Sequence, residues 1–126
     1  MAVEHGKCFI SVDDDIIFVK ALGAFNEEGI VKTIEELKSV IEKFGHQEFK
    51  LLFDYTQTEG GTPEVFEKIN ECNVWLNTQN MVAKALVINS STNLAILESR
   101  TPARNSQNAK SFDDRVSAIT WLKSQQ

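Results

Sequence analysis

The residue types best able to do chemistry are concentrated in one polar stretch, Asp54-Tyr-Thr-Gln-Thr-Glu-Gly-Gly-Thr-Pro63. The candidate residues in it are one of its two carboxylates, its phenol and its three threonine hydroxyls, at Asp54, Tyr55, Thr56, Thr58 and Thr62. The stretch leaves a predicted strand and enters a predicted helix, and ligands and partners of open α/β sheets bind at the carboxyl ends of strands. Backbone N–H groups at a Thr62 cap can also receive an anion or a phosphate. The alternative is a polar loop with an ordinary Thr-Pro helix start.

A second candidate is the pair Arg100 and Arg104, which flank Pro102. From Glu98 to Gln126 there are five basic and three acidic residues, so this segment carries a net charge of +2 in a chain of net charge −5. Two guanidinium groups near a helix end can bind an acidic group. The alternative is that both are solvated surface residues.

Motifs typical of enzymes are absent from the sequence. It contains no glycine-rich nucleotide loop, no GxSxG elbow and no HExxH pair. His5 and His46 have no converging partners, and Cys8 and Cys72 lack metal-type spacing. We therefore predict a non-enzymatic protein with no catalytic residue, metal or cofactor. The alternative, an enzyme that uses Asp54 with Tyr55, requires a raised pKa of Asp54 in a cleft.

The elements that position these residues follow from apolar spacing. One amphipathic helix after an Asn26 cap has apolar residues at intervals of four, three, four and three, namely Ile30, Ile34, Leu37, Ile41 and Phe44. Strands are predicted at Lys7–Val12, Ile16–Leu22, Phe49–Tyr55 and Met81–Ile88, with a short edge strand at Lys110. The run from Ala83 to Ile88 indicates a strand buried on both faces.

Three further helices complete the pattern. Thr62 and Pro63 predict a capped helix to about residue 78, preceded by a loop over Gln57–Gly61. A short helix is predicted over Asn93–Ser99, and Ser111 to Asp114 has the spacing of a capping box before the last helix. The order β-β-α-β-α-β-α-(β)-α predicts an antiparallel pair followed by parallel crossovers, hence an α/β fold with a mixed sheet and helices on its faces.

Composition narrows the class of protein further. The 126 residues predict one domain, 1–126, and 42% hydrophobic residues are enough for a core. The acidic balance gives no electrostatic reason to expect nucleic-acid binding. Because no apolar stretch is long enough to span a bilayer and the N-terminus has no signal core, we predict a cytoplasmic protein that is not integral to a membrane.

The Leu51-Leu-Phe-Asp54 strand with its polar loop, the strand order and the closing Phe112-Asp-Asp…Ala118-Ile-Thr-Trp-Leu122 segment together resemble the SpoIIAA-like domains. These are small bacterial proteins related in fold to STAS anti-sigma-factor antagonists and, more distantly, to CRAL-TRIO lipid-binding domains. The resemblance covers nearly the whole chain and implies a mixed sheet of about four or five strands with helices packed on it.

The resemblance also bears on Thr62. STAS antagonists carry an Asp-Ser-Ser-Gly-like segment at the start of the helix after the central strand, and its serine is phosphorylated by a partner kinase. The matching region here reads Gly60-Gly-Thr-Pro-Glu64. Thr62 falls near the phospho-acceptor position, but no serine is present and Pro63 follows, which weighs against a phosphorylation switch.

Two functions follow as hypotheses. The first is a STAS-like regulatory module that binds a protein partner through the stretch from Asp54 to Thr62 and the helix that it enters. The second is a carrier or sensor of a small amphipathic ligand held between the sheet and the helix that bears Phe66, Ile69 and Trp75. The sequence leaves a homodimer open, since Trp75 and Trp121 are potential interface anchors.

Overall fold

The structure is a computed structural model that describes residues 3–126. Its strands are β1 (Lys7–Asp13), β2 (Ile16–Phe25), β3 (Phe49–Gly61), β4 (Met81–Val87) and β5 (Ala109–Phe112). Its helices are α1 (Glu27–Glu42), α2 (Pro63–Leu76), α3 (Ser91–Arg100) and α4 (Arg115–Ser124), and a 3₁₀ helix covers Pro102–Ser106. The elements therefore follow one another in the order that the sequence predicts, with β5 as the short final strand.

The five strands form one sheet in the order β1-β2-β3-β4-β5. β1 and β2 pair antiparallel as a hairpin, whereas β2 with β3, β3 with β4, and β4 with β5 pair parallel. Each pair of parallel strands is connected by a helical crossover, because the chain must return to the same end of the sheet before the next strand can run in the same direction. The predicted mixed α/β sheet is confirmed.

Side chains alternate across the strands and build two hydrophobic layers. Ile17 and Leu51 belong to one layer, which packs on α1 and α2 and which we call the α1/α2 face. Ile16 and Leu52, the neighbouring residues on the same strands, belong to the other layer, which packs on α4 and which we call the α4 face. The sheet is therefore covered on both sides, as the apolar run of β4 predicts.

Asn26 is the N-cap of α1, as predicted. Its Oδ1 accepts hydrogen bonds from the backbone N–H of Gly29 and of His5, both at 2.9 Å, and its Nδ2 donates to the carbonyl of Val3 at 2.8 Å. One side chain thus caps the helix and holds the segment that precedes β1.

The structure differs from the sequence predictions in the segment before α2 and in the caps of α2 and α4. β3 continues to Gly61 instead of ending before a loop at Gln57, because β2 also extends and its backbone pairs with residues 57, 58 and 61. Among the described residues, Thr62 makes no side-chain cap bond, although it does occupy the N-cap position of α2. The last helix is capped by Asp114, whose Oδ1 accepts from Ser117 N at 2.7 Å, while Ser111 lies in β5.

Candidate functional site

A cavity of about 600 Å³ lies between the α1/α2 face of the sheet and helices α1, α2 and α3. It sits toward the carboxyl ends of β3 and β4 and is partly open to solvent. Its walls are mainly aliphatic and aromatic, with Phe25, Phe53, Phe66, Ile69 and Leu86 among them. Cavities of this size and character are typical of small-molecule sites.

Lys84 is the unexpected polar member of this wall. On β4, Ala83, Ala85 and Val87 pack on the α4 face, so Lys84 and Leu86 point to the opposite side, into the cavity. Lys84 is only 5% exposed. Its Nζ donates to Asn73 Oδ1 of α2 at 2.8 Å and lies 5.9 Å from the centroid of the Phe53 ring.

The environment of Lys84 disfavours its positive charge. Burial, followed by the positive charge of Arg104, lowers the pKa of Lys84 to about 7. Arg104 and Arg100 also line the cavity, at its rim beside α3. Within residues 3–126, none of these three cations forms an ion pair with a carboxylate. The two arginines predicted as an anion site thus lie at one cavity with a buried lysine.

Tyr55 and Thr58 line the same cavity from β3. The Tyr55 ring stacks on Phe53 with centroids 5.9 Å apart and an interplanar angle of 7°. Burial raises the pKa of the Tyr55 phenol, so the group stays protonated and serves as a neutral polar part of the wall. The Thr58 hydroxyl donates to the carbonyl of Ala21 at 3.1 Å, which ties β3 to β2.

Asp54 is directed away from this cavity, because it precedes Tyr55 on a strand and so points to the α4 face. Its Oδ1 accepts hydrogen bonds from Thr56 N at 3.0 Å and from Thr56 Oγ1 at 2.6 Å, and its Oδ2 lies 3.4 Å from Arg115 Nη1. Burial alone would raise the pKa of Asp54, but the Thr56 hydrogen bonds and the Arg115 charge outweigh it and lower the pKa.

The enzyme alternative required a raised pKa for Asp54 beside Tyr55, and the structure shows a lowered pKa with the two side chains on opposite faces. Asp54 and Thr56 are therefore brought together with each other and with Arg115, and are separated from Tyr55 and Thr58. Thr62 belongs to neither group, since it is exposed at the start of α2.

Of the three residues predicted to line a ligand, two lie at the cavity and one does not. Phe66 and Ile69 line the cavity. Trp75 instead packs against the core between α1 and α2, and Lys38 Nζ lies 5.1 Å from its ring centroid. The prediction for Trp75 is wrong because Ile69 and Trp75 are six positions apart and so point to different sides of the helix.

Sequence reasoning missed Lys84 and Asn73. A signal was present, since Lys84 interrupts a run from Met81 to Ile88 that is otherwise apolar and was predicted to be buried on both faces. A lysine in such a strand must either reach solvent or bind a polar group inside the protein. Asn73 carried no comparable signal, because a polar residue on a helix is ordinarily exposed.

Neither a metal centre nor a membrane span emerges from the described part of the chain. Residues 3–126 contain no group of three or more His, Cys, Asp or Glu side chains placed to hold a metal ion. The same residues include no helix with the length and apolar character needed to cross a bilayer.

Comparison with solved structures identifies the fold. An uncharacterised protein of the DUF3478 family from Shewanella loihica, described as having a SpoIIAA-like fold, superposes with a TM-score of 0.68 over 97% of each chain at 17% identity. The unphosphorylated anti-sigma factor antagonist SpoIIAA superposes with a TM-score of 0.63, over 94% of this chain and 99% of its own, at 8% identity. The chain therefore has the SpoIIAA-like fold.

Sequence comparisons are less informative. No protein-family model matches the chain. Late expression factor 3 of Orgyia pseudotsugata multicapsid polyhedrosis virus is 30% identical over 86 residues, which are 67% of this chain. The chain spans only 23% of the length of that viral protein.

Proposed function

We propose that this SpoIIAA-like chain is a binding protein that holds a small amphipathic molecule, as a carrier or a sensor. The observation that carries this proposal is the cavity of about 600 Å³, which lies on the helix-covered face of the sheet. Apolar surface left in contact with water is unfavourable, so a partly open space of this size with mainly apolar walls needs an explanation. An apolar ligand body explains the aromatic and aliphatic walls, and the few polar groups would orient it.

A neutral fluorescent probe tests the proposal. N-phenyl-1-naphthylamine should bind the wild-type protein with increased emission. Ile69→Trp places an indole in the cavity and should weaken the binding at least roughly tenfold. Val74→Trp, on the same helix at a position 54% exposed, is the matched control and should bind like the wild type. Failure of the probe to bind, or equal binding by both variants, would contradict the proposal.

Native mass spectrometry on protein purified gently from its own host provides an independent test. A non-covalent mass that leaves on activation, and that is missing from Ile69→Trp but present on Val74→Trp, would support a carrier. A bare chain in every preparation would count against a tightly bound cargo and would favour the second candidate below.

The second candidate is a regulatory module that binds a protein partner, which the likeness to an anti-sigma factor antagonist favours. The contact surface would be the outer end of β3 and the start of α2. Thr62 is one of the exposed residues at that place, and among residues 3–126 its side chain makes no cap bond. A negative charge there would act on the N-terminus of α2 and on any partner seated over it.

Charge substitution at Thr62 tests this second function. Wild-type protein, Thr62→Ala and Thr62→Glu are immobilised and exposed to extract of the source organism, and the captured proteins are compared. We expect wild type and Thr62→Ala to retain a common partner that Thr62→Glu loses. Equal capture by all three forms would rule out a switch at Thr62.

A further inference from the structure

Three of the four charged side chains that line the cavity are cationic. Lys84 lies on β4, Arg104 on the 3₁₀ helix and Arg100 at the end of α3, and all three line the space. The one carboxylate in the wall belongs to Glu59, an exposed residue at the outer end of β3. A cavity with apolar walls and cationic groups at one side is complementary to a molecule with an apolar body and an anionic end.

Lys84 is the informative member, because burying an ammonium group without a counter-ion is costly. Its Nζ donates to Asn73 Oδ1, an oxygen that also accepts from Gln107 Nε2 at 3.2 Å. An ammonium group has three N–H donors, and this amide oxygen satisfies one of them. An anion in the cavity would accept the remaining donors and supply the missing negative charge.

Resting on the proposed ligand-binding function, we propose that the cavity selects small amphipathic carboxylates and that Lys84 and Arg104 bind the carboxylate group. A single negative charge can be neutralised by the buried ammonium, while the planar guanidinium of Arg104 suits the two oxygens of a carboxylate. A phosphate monoester carries more charge and a larger desolvation cost, which an apolar cavity with one deeply buried cation offsets less well.

The charged and titratable groups around Lys84 determine how binding depends on pH. Arg104 of the 3₁₀ helix and Cys72 of α2 act on its charge, and Arg100 of α3 and Tyr55 and Glu59 of β3 line the same cavity. The pKa values of the Tyr55 phenol and the Cys72 thiol are raised by burial. Lys84, with a pKa of about 7, is therefore the group that changes charge near neutrality.

A series of ten-carbon ligands tests the proposal by calorimetry below their critical micelle concentrations. Decanoate, decanol, decylamine and decyl phosphate share one chain and differ in the head group. At pH 6.5 decanoate should bind the wild-type protein at least roughly tenfold more tightly than the other three. The affinity for decanoate should fall as the pH rises from 6 to 9, because Lys84 loses its proton, while the affinity for decanol stays constant.

Two variants and one control assign the effect to residues. Lys84→Met should abolish the preference for decanoate over decanol and its pH dependence, and Arg104→Met should reduce the preference. Lys110→Met, an exposed lysine on β5, should behave like the wild type. Unchanged decanol binding by Lys84→Met shows that the cavity is intact; if that variant fails to fold, Arg104→Met and the wild-type ligand series still decide.

The outcomes separate the two proposals. If no ten-carbon ligand binds, the cavity is not a ligand site and both proposals fail. If all four bind alike, or if decyl phosphate or decylamine binds more tightly than decanoate, the cavity function stands and the assignment of a carboxylate is overturned. A decanoate preference that survives in both Lys84→Met and Arg104→Met would overturn the assignment of these residues.

Discussion

At the scale of single residues, Asp54 shows how a candidate catalytic group can be a structural one. Asp54 is 4% exposed, and its carboxylate is held by Thr56 and Arg115 on the α4 face. Because the folded protein lowers the pKa of Asp54, the ionised form stabilises the fold above the ordinary pKa of 3.8, and this stabilisation is lost as the pH falls through the lowered value.

Asp54→Asn should therefore lower the free energy of unfolding at pH 7 by on the order of 1 kcal/mol, since one charge-assisted hydrogen bond and one ion pair become weaker. The difference from wild type should shrink as the pH falls below 3.8. Urea unfolding at several pH values measures this, with Asp113→Asn, at an exposed position between β5 and α4, as the control. A difference that does not depend on pH would contradict the argument.

Lys84 changes stability with pH in the same direction as Asp54, but in its case the fold disfavours the charged form. Its pKa in the folded protein, about 7, lies below the ordinary value of 10.5, so between these values the unfolded chain binds more protons. Stability contributed through this group must then rise with pH across that interval. Below about pH 7 both states are protonated and the contribution no longer changes.

The free energy of unfolding of the wild type, relative to Lys84→Met, should accordingly rise by on the order of 1 kcal/mol per pH unit between pH 7 and pH 10. Other titrating groups are common to both proteins and cancel in the difference. Lys110→Met is the control, and its difference from wild type should stay level. A flat profile for Lys84→Met would mean that Lys84 keeps an ordinary pKa.

At the scale of elements, the start of α1 depends on a close backbone approach. A Cβ built on Gly29 would collide with the carbonyl oxygen of His5, in the segment that Asn26 holds against the helix. Helix propensity alone favours alanine over glycine by about 1 kcal/mol. The contact with His5 and the helix propensity therefore predict stability changes of opposite sign for Gly29→Ala.

Gly29→Ala should destabilise the protein, by roughly 1–3 kcal/mol, because the clash forces the segment before β1 away from the helix. The amide of His5, which donates to Asn26 Oδ1, should lose its protection from hydrogen exchange. Glu28→Ala, an exposed change in the same turn, should alter stability by less than about 0.5 kcal/mol. A stabilised Gly29→Ala protein would show that the segment is not docked as described.

At the scale of the whole molecule, one sheet serves two hydrophobic layers. Trp75 packs into the layer of the α1/α2 face, and Trp121 into the layer of the α4 face. Both layers pack on strands β2 and β3. Loss of either layer therefore exposes one side of the strands on which the other layer also depends. We therefore expect the two faces to unfold together in one cooperative transition.

Leu122→Ala tests this cooperativity, because Leu122 of α4 is fully buried and its truncation should cost about 2–5 kcal/mol. In a Trp121→Phe background the remaining fluorescence comes from Trp75 on the opposite face. Adding Leu122→Ala should move the fluorescence transition and the circular-dichroism transition to the same lower denaturant concentration. Separate midpoints would mean that the two layers unfold independently.

The sequence by itself determined the order of elements, the amphipathic face of α1 and the buried nature of β4. These features depend on local spacing of apolar residues and on caps such as Asn26, which act within a few positions of the chain. The resemblance to SpoIIAA-like domains added the fold, and the structural comparison confirms it. A phosphorylation switch at Thr62 stays a hypothesis.

Only the tertiary structure decided which candidate residues share a site. The sequence predicts that the stretch from Asp54 to Thr62 forms one binding surface, but β3 extends through it and alternation sends Asp54 and Tyr55 to opposite faces. Lys84 joins Arg104 and Arg100 because β4, the 3₁₀ helix and α3 converge on one cavity. Strand pairing and the meeting of distant elements depend on long-range contacts, which local spacing in the sequence does not encode.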